Sequence, residues 1–140
     1  MIEDNEDHAL LIRRGIEGEG CAVTHYPDGP EVLKACAAIQ TQEEQPDLIF
    51  LDINLPGMSG FGVLKALKQM KGFERIPVVM LTTSRRRQEI DEAYRLGAAG
   101  FLVKSEDLGE FVTKLKRVKE YWFETVEPPS GRPVAGVREP

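Results

Sequence analysis

The chain lacks a basic excess, a metal-binding cysteine pattern and any apolar stretch of membrane length. Its formal net charge is −5 over 140 residues. It therefore carries none of the positive field that a nucleic-acid surface needs, and direct nucleic-acid binding is not expected. Only Cys21 and Cys36 are present, and their separation fits neither C-x-x-C nor a zinc site; they read as two small buried or half-buried thiols. Apolar runs such as Val78–Leu81, with Ile76 and Pro77 before it, fall far short of the roughly 20 residues that cross a bilayer, so no membrane contact is expected. The N-terminus lacks the basic, apolar, small-residue order of an export signal, which makes the cytoplasm the expected location. The absence of a repeat with a period of about 20–50 residues excludes a solenoid.

What is present is enough apolar content for a core. Hydrophobic residues make up 41% and charged residues 29% of the chain, a balance that suits one globular domain and excludes disorder. Strand-like and helix-like segments alternate. Met1-Ile2 end a first strand, and a helix runs from about Glu6 to Glu17 with Leu11, Ile12 and Ile16 inward. Cys21–Tyr26 read as a strand, and Pro30 opens a helix with the stripe Val32, Leu33, Cys36 and Ile39. Leu48–Leu51 form a strand, and Ser59-Gly60 start a helix carrying Val63, Leu64, Leu67 and Met70. Pro77–Leu81 and Phe101–Val103 are two more strands. Between them lies a helix with Ile90, Ala93 and Tyr94 that stops at Gly97, and after them a last helix with Leu108, Phe111, Val112, Leu115, Val118 and Trp122. Five strands alternating with five helices predict a parallel sheet covered on both faces. A central strand of such a sheet runs about five residues, so residues upstream of Met1 are expected. From about Thr125 the sequence turns to Pro, Gly and charge, with Pro128, Pro129, Pro133 and Pro140, a tail that builds no core of its own.

Four polar residues close apolar strands: Asp4, Asp52, Thr82 and Lys104. Open α/β sheets hold their ligands at such carboxyl ends. If the first and third strands are neighbours, Glu3, Asp4 and Asp52 meet at one sheet edge. Their mutual repulsion then calls for a divalent cation, and magnesium suits an all-oxygen donor set. Asp4 and Asp52 would bind it directly, the Asn54 carbonyl would add a ligand and Glu3 would hold a coordinated water. Each residue also has a plainer reading. Asp52 could be a helix cap, but the next helix starts near Ser59, too far on. Glu3-Asp4-Asn5 suit a helix start, Thr82 a helix entry, and Lys104 a solvated charge. His8 and His25 stand isolated, with neither a metal-ligand nor a phosphohistidine context.

Four motifs in order carry a family resemblance. Glu3-Asp4-Asn5, the stretch Pro46–Gly60 around Asp52, Pro77–Thr83 and Gly97–Lys104 together resemble the receiver domain of bacterial two-component response regulators, over about residues 1–124. Thr82-Thr83-Ser84, Lys104-Ser105 and the aromatic exit Tyr121-Trp122-Phe123 before Pro128-Pro129 further resemble stand-alone regulators paired with phytochrome-type histidine kinases. The resemblance implies a flavodoxin-like, doubly wound, five-stranded parallel sheet of order 2-1-3-4-5 with five helices, followed by a tail at 125–140. It implies that Asp52 accepts a phosphoryl group from a kinase phosphohistidine, that Glu3, Asp4, Asp52 and Asn54 hold Mg2+, and that Thr82 and Lys104 bind phosphoryl oxygens. It also implies a phospho-acceptor with at most slow self-dephosphorylation rather than an enzyme. No output domain is expected after residue 124, so output would pass through contact with another protein, or the chain would serve as a relay or phosphate sink. The alternatives are a phosphohydrolase using Asp52 as nucleophile and a degenerate receiver acting as scaffold. Dehalogenase-type hydrolases put the nucleophile on the first strand with a second Asp two residues on, whereas here that residue is Asn54. The complete polar set weighs against the scaffold.

Two positions depart from the family pattern. Ser105 replaces the proline that usually follows the lysine, and a cis bond ahead of a non-proline costs about 2.5–4 kcal/mol, so Lys104-Ser105 is expected to be trans. Phe101 replaces a switch tyrosine; it either swings inward as Thr82 moves or is a plain core residue. Arg85-Arg86-Arg87 read as a solvated charge run or a kinase contact. Gly15, Gly18 and Gly20 follow a helix and precede a strand, the wrong order for a nucleotide loop. Three successive aromatics on a helix cannot share one face. The expected homodimer surface therefore comprises the fourth and fifth helices and the tail, through Tyr94, Phe111, Tyr121, Trp122 and Phe123, unless the tail folds back over them.

Overall fold

The computed structural model describes residues 1–18 and 20–129. The helices are α1 (Glu6–Ile16), α2 (Gly29–Ala38), α3 (Gly60–Gln69), α4 (Arg87–Arg95) and α5 (Leu108–Glu120), and the strands β1 (Ile49–Asp52), β2 (Val78–Thr82) and β3 (Gly100–Val103). The strands pair in parallel in the order β1-β2-β3, with Asp52 opposite Leu81 and Thr82 opposite Val103. All of β1 and β2 is buried, as their unbroken apolar runs require.

Two of the five expected strands are reduced to bridges. Ile2 pairs in parallel with both Tyr26 and Leu51. Its amide donates to the Phe50 carbonyl at 2.8 Å and its carbonyl accepts from the Asp52 amide at 3.0 Å. The spatial order is thus the Tyr26 segment, the Ile2 segment, β1, β2, β3, which is the expected 2-1-3-4-5. Ile2 makes one bridge on each side, and among Cys21–Tyr26 only Tyr26 joins the parallel pairing. A cleft of about 1350 Å³ opens there, lined by Ile12, Ile16, Val23, Phe50 and Phe123 among others.

Alternate side chains sort to two cores. Ile49, Leu51, Val78 and Met80 pack with Val32, Leu64 and Leu67 beneath α2 and α3. Phe50, Val79 and Leu81 pack with Ile12, Ile16, Phe111 and Leu115 beneath α1 and α5. α1 and α5 approach closely at Gly15, where a Cβ would lie 2.6 Å from the Leu115 Cβ. Asn5, Asp28, Ser59 and Asp107 cap four helices by accepting an amide three residues on. α4 starts at Arg87, its cap position Arg86 makes no side-chain capping bond, and Arg87 pairs with Asp91 at 3.0 Å on its exposed face.

Three expectations change at the C-terminal end. Phe111 is 1% exposed and belongs to the core, because it sits one turn before Leu115 on the inner stripe of α5; it cannot form part of a dimer surface. Leu108, placed on the same stripe, is exposed, since it opens the helix before the stripe turns inward. Tyr121–Thr125 leave the α-helix as a π-turn, which rotates the aromatics off the α5 face. Tyr94 and Tyr121 are exposed, and Trp122 and Phe123 are half-buried. Tyr121 and Trp122 meet edge to face, with centroids 5.2 Å apart. The tail beyond Pro129 lies outside the described residues.

Candidate functional site

The carboxyl ends of the strands converge. Asp52 ends β1, Thr82 ends β2, and Lys104 follows β3. The Lys104 amide donates to the Thr82 carbonyl at 2.7 Å, so the ladder itself delivers the lysine. No cis peptide occurs among the described residues; Lys104-Ser105 is trans, as the missing proline predicts. On the other side, the bridges of Ile2 carry Glu3 and Asp4 to the same edge. Gly60 closes the floor: a Cβ there would overlap the Asp52 carbonyl and lie 2.7 Å from the Ile53 Cα, so α3 packs beneath the site only with glycine at this position.

The Lys104 ammonium is the hub. It donates to Glu3 Oε2 at 2.7 Å and to Asp52 Oδ2 at 2.8 Å, with Lys104 and Asp52 side chains each 6% exposed and Glu3 fully buried. Asp52 Oδ1 accepts the Asn54 amide at 3.0 Å, and Glu3 Oε1 accepts the Asn5 amide at 3.1 Å. Thr82 is buried, and its hydroxyl oxygen accepts the Ser84 amide at 3.1 Å. Phe101 is half-buried against the core beneath α2 and α3.

One ligand atom from each of Glu3, Asp4 and Asp52 lies within 4.8 Å of the others. Burial first, then the neighbouring Asp52 carboxylate, pushes the Glu3 carboxyl up to about 7, against the pull of Lys104. Three acids facing one ammonium leave negative charge uncompensated, and an all-oxygen donor set suits a hard divalent cation. The residues therefore fit a divalent metal, with exposed Asp4 on the open side.

The structure brings together Glu3, Asp4, Asp52, Asn54, Thr82 and Lys104, and adds a residue the sequence did not mark. His8 Nδ1 lies 3.0 Å from Lys104 Nζ and 3.8 Å from Glu3 Oε1. Its partial burial, and then Lys104, hold the imidazole below its usual range. One signal pointed there: with Asn5 as the cap, the third helical residue lies in the first turn, beside the sheet edge. His25, by contrast, bonds the Glu3 carbonyl through Nε2 at 2.6 Å and braces the backbone behind the site.

Residues 1–116 match the family described as Response regulator receiver domain. The chain is 38% identical to the response regulator Rcp1 of Synechocystis sp. over 129 residues, covering 89% of this chain and 77% of that one. It is 34% identical to the phosphate regulon transcriptional regulatory protein PhoB of Rhizobium meliloti, but covers only 49% of that longer protein. Among solved structures, the phosphorylated cyanobacterial phytochrome response regulator RcpA superposes with a TM-score of 0.83 at 31% identity, covering 91% of this chain and 94% of that one. The Mn(2+)-bound form of Rcp1 gives 0.78 at 30% identity, covering 91% and 95%.

Proposed function

The chain belongs to the response regulator receiver domain family, the phospho-acceptor modules of two-component signalling, and we propose that Asp52 is its acceptor, taking a phosphoryl group from the phosphohistidine of a histidine kinase. The observation that carries this is the Lys104 ammonium held between Asp52 and Glu3 at 2.8 and 2.7 Å at the end of the sheet. An Asp52 oxygen attacks phosphorus, the P–N bond to the kinase imidazole breaks, and that imidazole leaves with its electron pair and is protonated. Such transfer needs positioning and charge neutralisation more than covalent help. Asp52 is the nucleophile; Lys104 and the Thr82 hydroxyl bind the phosphoryl oxygens. Glu3, Asp4, Asp52 and the Asn54 carbonyl would hold Mg2+, which supplies further positive charge for those oxygens when bound. Self-dephosphorylation is slow on this reading.

The kinase is of the phytochrome type on this reading, supported by the likeness to Rcp1 and to the phytochrome response regulator RcpA. Partner and protein meet in the cytoplasm; among the described residues no helix is long and apolar enough to cross a membrane. Exposed Tyr94 and Tyr121 and half-buried Trp122 and Phe123 support a homodimer through α4, the end of α5 and the tail, with Phe101 and Thr82 relaying the phosphorylated state. Sedimentation at high micromolar concentration should reveal the dimer, and a strict monomer would rule it out. The acceptor role is tested by incubation with acetyl phosphate and Mg2+. One labile acyl-phosphate equivalent per chain is expected; many turnovers would make the protein a hydrolase, and none would make it a scaffold.

A further inference from the structure

We propose that His8 is a positioning residue for phosphoryl transfer, acting as the third acceptor that aims the Lys104 ammonium at Asp52; this rests on the acceptor reading above. A lysine ammonium has three protons and no lone pair. Glu3 Oε2, Asp52 Oδ2 and His8 Nδ1 lie at 2.7, 2.8 and 3.0 Å from Nζ, one acceptor for each proton. Because the lysine only donates, Nδ1 accepts, and the ring is the neutral tautomer with its proton on Nε2.

The backbone places the residue for this task. The His8 amide donates to Asn5 Oδ1 at 3.0 Å, and the Asn5 amide donates to Glu3 Oε1 at 3.1 Å. Two of the three acceptors thereby come from one short capped stretch, residues 3 to 8. Asp52 is the acceptor that changes when it is phosphorylated, since one oxygen is then bound to phosphorus in an acyl phosphate. Glu3 and His8 keep the ammonium in place through that change. His8 is also the outermost of the three, with its side chain 33% exposed against 0% for Glu3, so it stands between the lysine and solvent.

The test replaces His8 with Ala, Phe and Asn. Phe keeps the ring but removes the acceptor; Asn puts an acceptor oxygen the same number of bonds from Cα as Nδ1. Loss of a charge-assisted hydrogen bond predicts that H8A and H8F take up phosphoryl from acetyl phosphate about tenfold more slowly, with H8N within about twofold of wild type. Melting temperatures would verify that each variant folds. Wild-type rates in H8A and H8F, or an H8N as slow as H8F, would overturn the proposal. A second readout needs no chemistry: 15N spectra of the wild-type ring should put the proton on Nε2, and a proton on Nδ1 would contradict the assignment. Failure of the acceptor reading looks different, because wild type itself would then gain no phosphoryl group.

Discussion

The two sides of the site are held in place by different forces. Asp52, Thr82 and Lys104 sit on or beside ladders of four register pairs each, with β1 and β2 wholly buried. Glu3 and Asp4 hang from Ile2, which makes a single bridge on either side and borders the cleft beside Cys21–Tyr26. Glu3 is nonetheless fully buried. On that side Lys104 and the packing of Ile2 do what a ladder does on the other. Long ladders thus hold Asp52 and Lys104, while the acidic half rests on two bridges and on charge, and disturbing charge should loosen the latter more.

Lys104→Met should separate the two sides most sharply. Removing one partner of a buried ion pair costs about 3–5 kcal/mol, and urea unfolding near pH 8 should show a loss of that order together with loss of phosphoryl uptake. The deficit should shrink on acidification, because Glu3 takes up a proton instead; a deficit independent of pH would mean that Lys104 does not hold the acids. Ile2→Ala comes next. Ile2 is 2% exposed, and truncating a buried Ile to Ala costs about 2–5 kcal/mol. Backbone hydrogen exchange should rise at residues 1–5 and Tyr26 while β2 and β3 stay protected, and uniform loss of protection would erase the distinction.

The smallest effect is that of pH on metal stabilisation. The folded Glu3 carboxyl lies at about 7, above its ordinary 4.5. Between those values the unfolded chain has released a proton that the folded chain keeps, so this group lowers stability as pH rises, with the full penalty above about 7. A divalent cation relieves that penalty. The rise in melting temperature given by Mg2+ should therefore be larger at about pH 8 than at about pH 5. An equal or larger rise in acid would show that Glu3 is not the group relieved.

Much of this was legible in the sequence. Asp52, Thr82 and Lys104 could be read because each ends an apolar run, and a parallel sheet brings such ends together whatever the details. Glu3 and Asp4 were legible for the same reason. The Cys21–Tyr26 strand was not, since its pattern suits pairing while among the described residues only its Tyr26 meets a parallel partner, Ile2; strand formation depends on the partner as well as the segment. Phe111 satisfied two readings, core stripe and aromatic surface, and its place one turn before Leu115 decided for the core. His8 stayed hidden because its meaning depends on the reach of a lysine 96 residues away, a relation no local pattern carries.

The central claim is that Asp52 is the phosphoryl acceptor. Wild-type protein and Asp52→Asn should be incubated side by side with radiolabelled acetyl phosphate and Mg2+ after matched melting curves. Label on the wild type alone, lost on mild alkaline treatment as an acyl phosphate is, is the predicted result; equal label on both proteins would contradict it.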